Sequence, residues 1–265
     1  LTIHPCQLHT LAYDRKQPRP NRKAKAAKSV WEQARKAERN YAIRLRKVAA
    51  EIGHIVKSFD LTDPSSIGRI DAALKKYAGV VELWAPSAGA QMVVEVGARD
   101  RDAWRKSSTE IGRGIAREMA TAPVGQVTRD ALAEQVRLIS SLPIEAAQRV
   151  HDLAIQGLST GARASDIAEE IMRTGEVTKS RATLIARTET GRVSTEFTKA
   201  RAEHVGSTTY LWRTARDGDV RASHKAMEGK QVDWNRPPTL DGMTGHAGSL
   251  PNCRCFCQPQ FNDFD

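Results

Sequence analysis

The sequence predicts a mainly α-helical protein with a small C-terminal α+β module. Three observations carry this reading. Apolar residues recur at three- and four-residue spacing through most of the chain before Gly206. Only 5% of the 265 residues are aromatic, which suits helical cores better than an all-β architecture. Beyond Gly206 the texture turns β-branched and aromatic, with Gly- and Pro-rich connections.

Residues 1–28 are polar, basic and broken by Pro18 and Pro20, and are expected to form an extended, flexible arm. Ser29-Val30-Trp31-Glu32 has the form of a capping box, in which serine and glutamate satisfy the free amides of a first helical turn. The stripe Val30, Ala34, Ala37, Tyr41, Leu45, Val48, Ile52, Ile55 and Phe59 predicts one long amphipathic helix. Asp63-Pro64 opens another, with Asp63 as cap and Ile67, Ile70, Leu74 and Tyr77 as its stripe. Residues 79–99 read either as short strands or as a packed helical hairpin. Helical patterns resume at 101–119, after Thr128, after Pro143 and around Ile167 and Ile171. The helix after Thr178 runs to about Gly206. Thr208–Thr214 reads as a strand, Asp217-Gly218 as a turn, Asp219–Met227 as a short helix, and Lys230–Trp234 as a second strand. Residues 235–251 read as a loop and the cysteine segment as a last strand. The expected organisation is an arm (1–28), a helical region (29–178) and a C-terminal α+β module with its leading helix (179–265).

The formal charge is +10. The excess gathers in Arg15, Lys16, Arg19, Arg22, Lys23, Lys25 and Lys28 of the arm and continues along the first helix in Arg35, Lys36, Arg39, Arg44, Arg46, Lys47 and Lys57. Such a block meets nucleic acid or an acidic surface, or is a solvated helix face. No stretch approaches the roughly 20 apolar residues of a membrane span. The start Leu1-Thr2-Ile3-His4 turns basic without an apolar run, so no signal peptide is expected. Cys6 stands alone, far from Cys253, Cys255 and Cys257. That spacing is not a disulfide framework.

Three segments invite a chemical reading. In Ile185-Ala186-Arg187-Thr188-Glu189, residues 185, 189, 193 and 197 share one helical face, so Glu189 is aimed along an apolar stripe and needs a partner. Arg213 or Arg221 would make it a salt bridge docking helix onto module, the bland reading. His224, three residues after Arg221, joins Glu189 and Arg221 in the sharper one, a nuclease-like or ADP-ribosyl-transfer constellation. No nucleotide-binding glycine pattern accompanies it. Pro251-Asn252-Cys253-Arg254-Cys255 raises a structural zinc, with His224, Cys253 and Cys255 as ligands and His246, Cys257 or Asp217 as a fourth. Ligand sulfurs on one ion lie roughly 4 Å apart. Alternate strand residues are about 6.6 Å apart, so the chain must turn between the two cysteines. The alternative is small apolar thiols packed under the sheet. Trp212 and Trp234 read as core anchors.

In order and spacing, these segments resemble the C-terminal domain of Mu F-like phage head-morphogenesis proteins, over roughly residues 145–260. In that family an Ala-Arg-Thr-Glu helix precedes a strand, a His-bearing turn and an Asn-Cys-Arg-Cys segment. Cys257 is an addition to the usual pair. The resemblance implies a minor capsid protein rather than an enzyme, found in the virion at the head interior or portal vertex and assembled in the bacterial cytoplasm. Its implied partners are the portal, capsid or scaffold proteins and packaged double-stranded DNA. Arg187, Glu189, Trp212 and Arg221 read as structural residues. A general nucleic-acid-binding protein is the third reading.

Overall fold

The computed structural model describes residues 29–261 except 30, 33, 62, 64, 112–121 and 161. The expected arm, with its seven basic residues, lies outside the described residues. The elements run α1 (Arg35–Lys57), α2 (Ser66–Ile111), α3 (Val124–Thr160), α4 (Ala164–Met172), α5 (Thr174–His204), β1 (Thr209–Thr214), α6 (Ala222–Lys225), β2 (Gln231–Asp233), β3 (Thr239–Leu240), β4 (Met243–Thr244) and β5 (Cys255–Gln260). The protein is mainly α with a small C-terminal α+β part, as its sequence predicts.

The stripe of α1 is buried from Ala37 through Tyr41, Leu45, Val48 and Ile52. The Ser29 turn forms, with Oγ accepting from the Trp31 amide at 3.3 Å. It stands apart from the helix proper, which begins at Arg35. Asp63 accepts from the Ser65 amide at 2.9 Å just ahead of α2.

Residues 79–99 form neither strands nor a hairpin: α2 runs straight through them and through Pro86. Val81, Ala85, Ala88, Met92 and Val96 fall three or four apart and are all buried, whereas Val80, Leu83 and Val94 point outward. The valine pairs imitate a strand locally, but the burial period is helical. Pro143 likewise lies inside α3, where two helices were expected. Proline removes one backbone bond and crowds the preceding turn, at a cost of about 3 kcal/mol. Leu142, Ala146, Ala147 and Val150, all buried around it, supply packing that offsets this.

Helices α1, α2, α3 and α5 enclose one apolar core, centred on Tyr41, Leu45, Ile52, Ile70, Leu74, Met92, Ile139 and Leu142, with Ile171 of α4 at its edge. A second core gathers Trp104, Tyr210, Trp212, Val232, Trp234, Leu250 and the three cysteines Cys253, Cys255 and Cys257. Its frame is an antiparallel sheet of order β2-β1-β5. The register pairs Tyr210 with Val232, and Trp212 with Cys257. Tyr210, Trp212 and Thr214 alternate inward along β1, the two-residue period of a half-buried strand. Residues 219–227 hold less helix than expected, only the single turn α6. The 235–251 loop carries a small β3–β4 ladder closed by Asp241-Gly242, both at positive φ (53° and 77°). Asp-Gly suits this turn because glycine and, among the other residues, aspartate tolerate the left-handed region.

Helix α5 belongs to both cores. Ala182, Ile185, Ala186, Val193 and Phe197 face the first, and Ala202 and Val205 just beyond face the second. It crosses α1 where two glycines meet: a Cβ on Gly175 would lie 2.6 Å from the Gly53 Cα. Backbone, not a flexible side chain, would have to yield. Gly175→Ala should therefore lose about 1–3 kcal/mol by overpacking, despite alanine's helix-propensity gain of about 1 kcal/mol. Gly79→Ala, on an exposed turn with open space around it, should gain about 0.5–1 kcal/mol. Urea denaturation followed by far-ultraviolet circular dichroism measures both, and equal signs would contradict the packing argument.

Candidate metal centre

The Ala-Arg-Thr-Glu segment of α5 and the Asn-Cys-Arg-Cys segment before β5 meet directly. Arg187 donates to Glu38 of α1 at 3.1 Å and to the Asn252 side chain at 2.8 Å. The Asn252 amide donates to Thr188 Oγ1 at 3.0 Å. One helical turn thus ties the bundle to the cysteine loop. Gly248, at φ 94°, lets that loop approach α5 closely, since a Cβ there would meet Thr195 Oγ1 at 2.7 Å. Thr195 in turn donates to the Ala247 carbonyl at 2.8 Å.

Glu189 does not pair with Arg213 or Arg221. Its Oε2 accepts from Gln135 at 2.8 Å and from Arg192 at 2.7 Å, and Gln135 also accepts from the Tyr41 hydroxyl at 2.9 Å. The carboxylate therefore ties α5 to α1 and α3, inside the bundle. The i to i+3 position of Arg192 supplies the local cation. Arg213 instead binds Gln258 and Glu228, and Arg221 binds the Pro251 carbonyl and faces Asp241. The structure brings Arg221 and His224 to the cysteine loop and leaves Glu189 with other partners.

Pro251-Asn252 makes the turn that the two cysteines need. Asn252 sits at φ 56°, and the Cys253 amide donates back to the Leu250 carbonyl at 3.0 Å. Cys253 therefore precedes β5, and Cys255 opens it. His224 Nδ1 lies 3.4 Å from Cys253 Sγ and 3.5 Å from Cys255 Sγ. The three ligand atoms all fall within 4.8 Å of one another, and all three residues are buried. Zinc bonded to nitrogen at about 2.0 Å and sulfur at about 2.3 Å in a tetrahedron sets an N···S edge of about 3.6 Å. The observed separations match that edge.

The surroundings suit thiolates. The Cys255 amide donates to Cys253 Sγ at 3.4 Å. The Cys253 thiol is held low, first by the hydrogen bond from Cys255. Cys255 is pushed up, first by giving that bond and then by burial. The buried Trp212 indole N–H lacks a conventional acceptor and acts on Cys255. A sulfur carrying negative charge would serve it better. Trp212 also packs edge-on against the His224 ring, with centroids 5.5 Å apart.

None of the expected fourth ligands joins this group among the described residues. His246 Nδ1 lies 3.2 Å from the Tyr210 hydroxyl. Cys257 Sγ donates to the Ala247 carbonyl at 3.4 Å. Asp217 holds Arg254 and faces Arg35. Asp241 went unnoticed in the sequence, where its only signal is the Asp-Gly turn pair. Its Oδ2 lies 3.9 Å from His224 Nε2.

The Phage Mu protein F like protein family matches residues 148–258, which span α5, the sheet and the cysteine turn. This stretch of the chain is similar to that family. The chain is, in this region, similar to phage head proteins. It is 27% identical over 154 residues to Minor head protein GP7 of Bacillus phage SPP1, covering 51% of this chain and 49% of the relative. It is 34% identical over 122 residues to NAD(+)--arginine ADP-ribosyltransferase EFV of Enterococcus faecalis, covering 42% of this chain and 25% of that protein. An uncharacterized protein of Haemophilus influenzae is 32% identical over 127 residues, 48% of this chain and 28% of its own length. The chain thus spans between a quarter and a half of these relatives. No solved structure matches it. Among the described residues no helix is long and apolar enough to cross a membrane.

Burial in the second core has a consequence for pH. His246 is pushed down to about 4, first by burial and then by the Lys199 charge. The unfolded chain takes up this proton near pH 6.5, whereas the folded chain refuses it until about pH 4. Its contribution to stability is full above pH 6.5 and is lost as pH falls from there to about 4. His246→Gln, which cannot titrate, should show a shallower loss of urea midpoint over this window. Parallel curves for the two proteins would contradict the assignment.

Proposed function

We propose that this chain is a bacteriophage minor capsid protein that acts in head assembly at the portal or inner capsid face. The observation that carries the reading is the direct contact of the Ala-Arg-Thr-Glu helix with the Asn-Cys-Arg-Cys turn inside the matched 148–258 region. The likeness to a phage minor head protein over about half of each chain supports it. Residues 179–265 form the family module with its leading helix, 29–178 the helical scaffold that carries it, and 1–28 a basic arm. Arg15, Lys16, Arg19, Arg22, Lys23, Lys25 and Lys28 of that arm contact packaged double-stranded DNA through its phosphates, without sequence preference.

The enzyme reading gains no support from the site. Glu189 binds Gln135 and Arg192, and His224 is enclosed by two thiols and an indole, so acid, base and cation do not converge on an open cleft. The similar stretch amounts to a quarter of the ADP-ribosyltransferase. A structural zinc on His224, Cys253 and Cys255 is the cofactor we assign, holding α6, the loop before β5 and β5 together in a module with few strands.

Quantitative mass spectrometry of purified, nuclease-treated phage particles tests the role, with the portal protein as internal ratio. A few copies per portal ring are expected. Absence from mature particles would overturn a permanent place in the virion.

A further inference from the structure

Resting on the zinc reading above, we propose that Asp241 is the outer carboxylate of the metal centre. It takes the Nε2–H of His224 and so fixes the ring with Nδ1 turned to the two thiolates.

The ring geometry divides the two nitrogens cleanly. Nδ1 lies within 3.5 Å of both sulfurs. Nε2 is buried without a hydrogen-bond partner, and the carboxylate it faces is Asp241, at 3.9 Å. Shortening that separation by about 1 Å makes a hydrogen bond of ordinary length. Metal-bound histidines almost always donate their second N–H to a carboxylate, carbonyl or water, which fixes the tautomer and raises the ligand's basicity. Among the described residues, the buried Nε2 has this one carboxylate in front of it and no hydrogen-bond partner.

Asp241 is placed for this task by the chain around it. The β3–β4 ladder, closed by paired Thr239 and Thr244 hydroxyls at 2.7 Å, projects the two-residue turn toward α6. Asp241 holds a left-handed φ of 53°. Its Oδ2 accepts from Ser223 at 2.8 Å and faces Arg221 at 3.7 Å. Arg221, Ser223 and His224 all come from the short α6 segment, so one carboxylate gathers the whole turn that presents the imidazole. Arg221 also holds the Pro251 carbonyl at 2.9 Å, which links the same turn to the cysteine loop. Asp241 is a positioning residue, acting on the metal through His224.

The competing explanation is that aspartate merely suits the hairpin turn. Asparagine tolerates the left-handed region equally well, so Asp241→Asn keeps the turn and removes the carboxylate. Zinc affinity is measured on the full chain by competition with a chromophoric chelator. Cobalt(II) spectra report thiolate ligation, and nitrogen NMR reports which His224 nitrogen carries the proton. Wild type should bind one zinc per chain, with His224 protonated on Nε2. Asp241→Asn should bind about 10–100-fold more weakly while keeping its circular dichroism and its thiolate-to-cobalt bands. Ser223→Ala, which frees the carboxylate without removing it, should weaken binding by a smaller factor. An Asp241→Asn affinity within about twofold of wild type, at unchanged tautomer, would overturn the role of Asp241 and leave the zinc site standing. Failure of the wild-type chain to bind zinc, or a Cys253→Ser variant binding as tightly, would overturn the zinc reading itself.

Discussion

Asp100 and Arg201 form an ion pair at 2.6 Å with both side chains almost wholly out of water. Thr198 donates to the other carboxylate oxygen at 2.8 Å. Either charge alone at this depth would cost several kcal/mol, so each fixes the other's position. Burial pushes the Asp100 carboxyl up to about 6, and the Arg201 charge and Thr198 hydroxyl pull against it. The pair locks α2 to α5 at the level where the bundle core ends and the sheet core begins.

From that lock the rest of the arrangement follows. One turn along α2, Trp104 packs against Trp31 ahead of α1 and Phe261 after β5, so both ends of the described chain close on the same spot. One turn along α5, Ala202 and Val205 enter the second core and the chain leaves for β1. In the other direction along α5, Glu189 is set against Gln135, and Arg187 and Thr188 come under Asn252. The position of Asn252 sets the turn that brings Cys253 beside Cys255 and His224. The Ala-Arg-Thr-Glu segment is thus the contact point on α5 for the Asn-Cys-Arg-Cys turn.

Much of this was legible in the sequence because it depends on local period. The stripe of α1, the strand 209–214 and the long helix before Gly206 each announce themselves in the pattern of their own residues. The His224, Cys253 and Cys255 group was also legible, including the need for a turn between the cysteines. Pro143 misled because proline's local cost is offset by the burial of Leu142, Ala146, Ala147 and Val150 around it. The partner of Glu189 was misassigned as well. Gln135 lies 54 residues earlier, and nothing in its surroundings marks it as a partner. Asp241 was hidden in a Gly-rich loop, since a carboxylate that acts through a histidine carries no spacing signal of its own.

Helix α5 and the Asp100–Arg201 pair hold the α+β module against the helical bundle. Hydrogen exchange read segment by segment through a urea series tests it most directly, comparing residues 35–57 of the bundle with 209–214 and 255–260 of the sheet. In the wild-type chain the two regions should open together. In Asp100→Ala, which leaves Arg201 buried and unpaired, the sheet region should open at lower urea than the bundle. Bundle and sheet opening together in that variant, at the wild-type midpoint, would contradict the account.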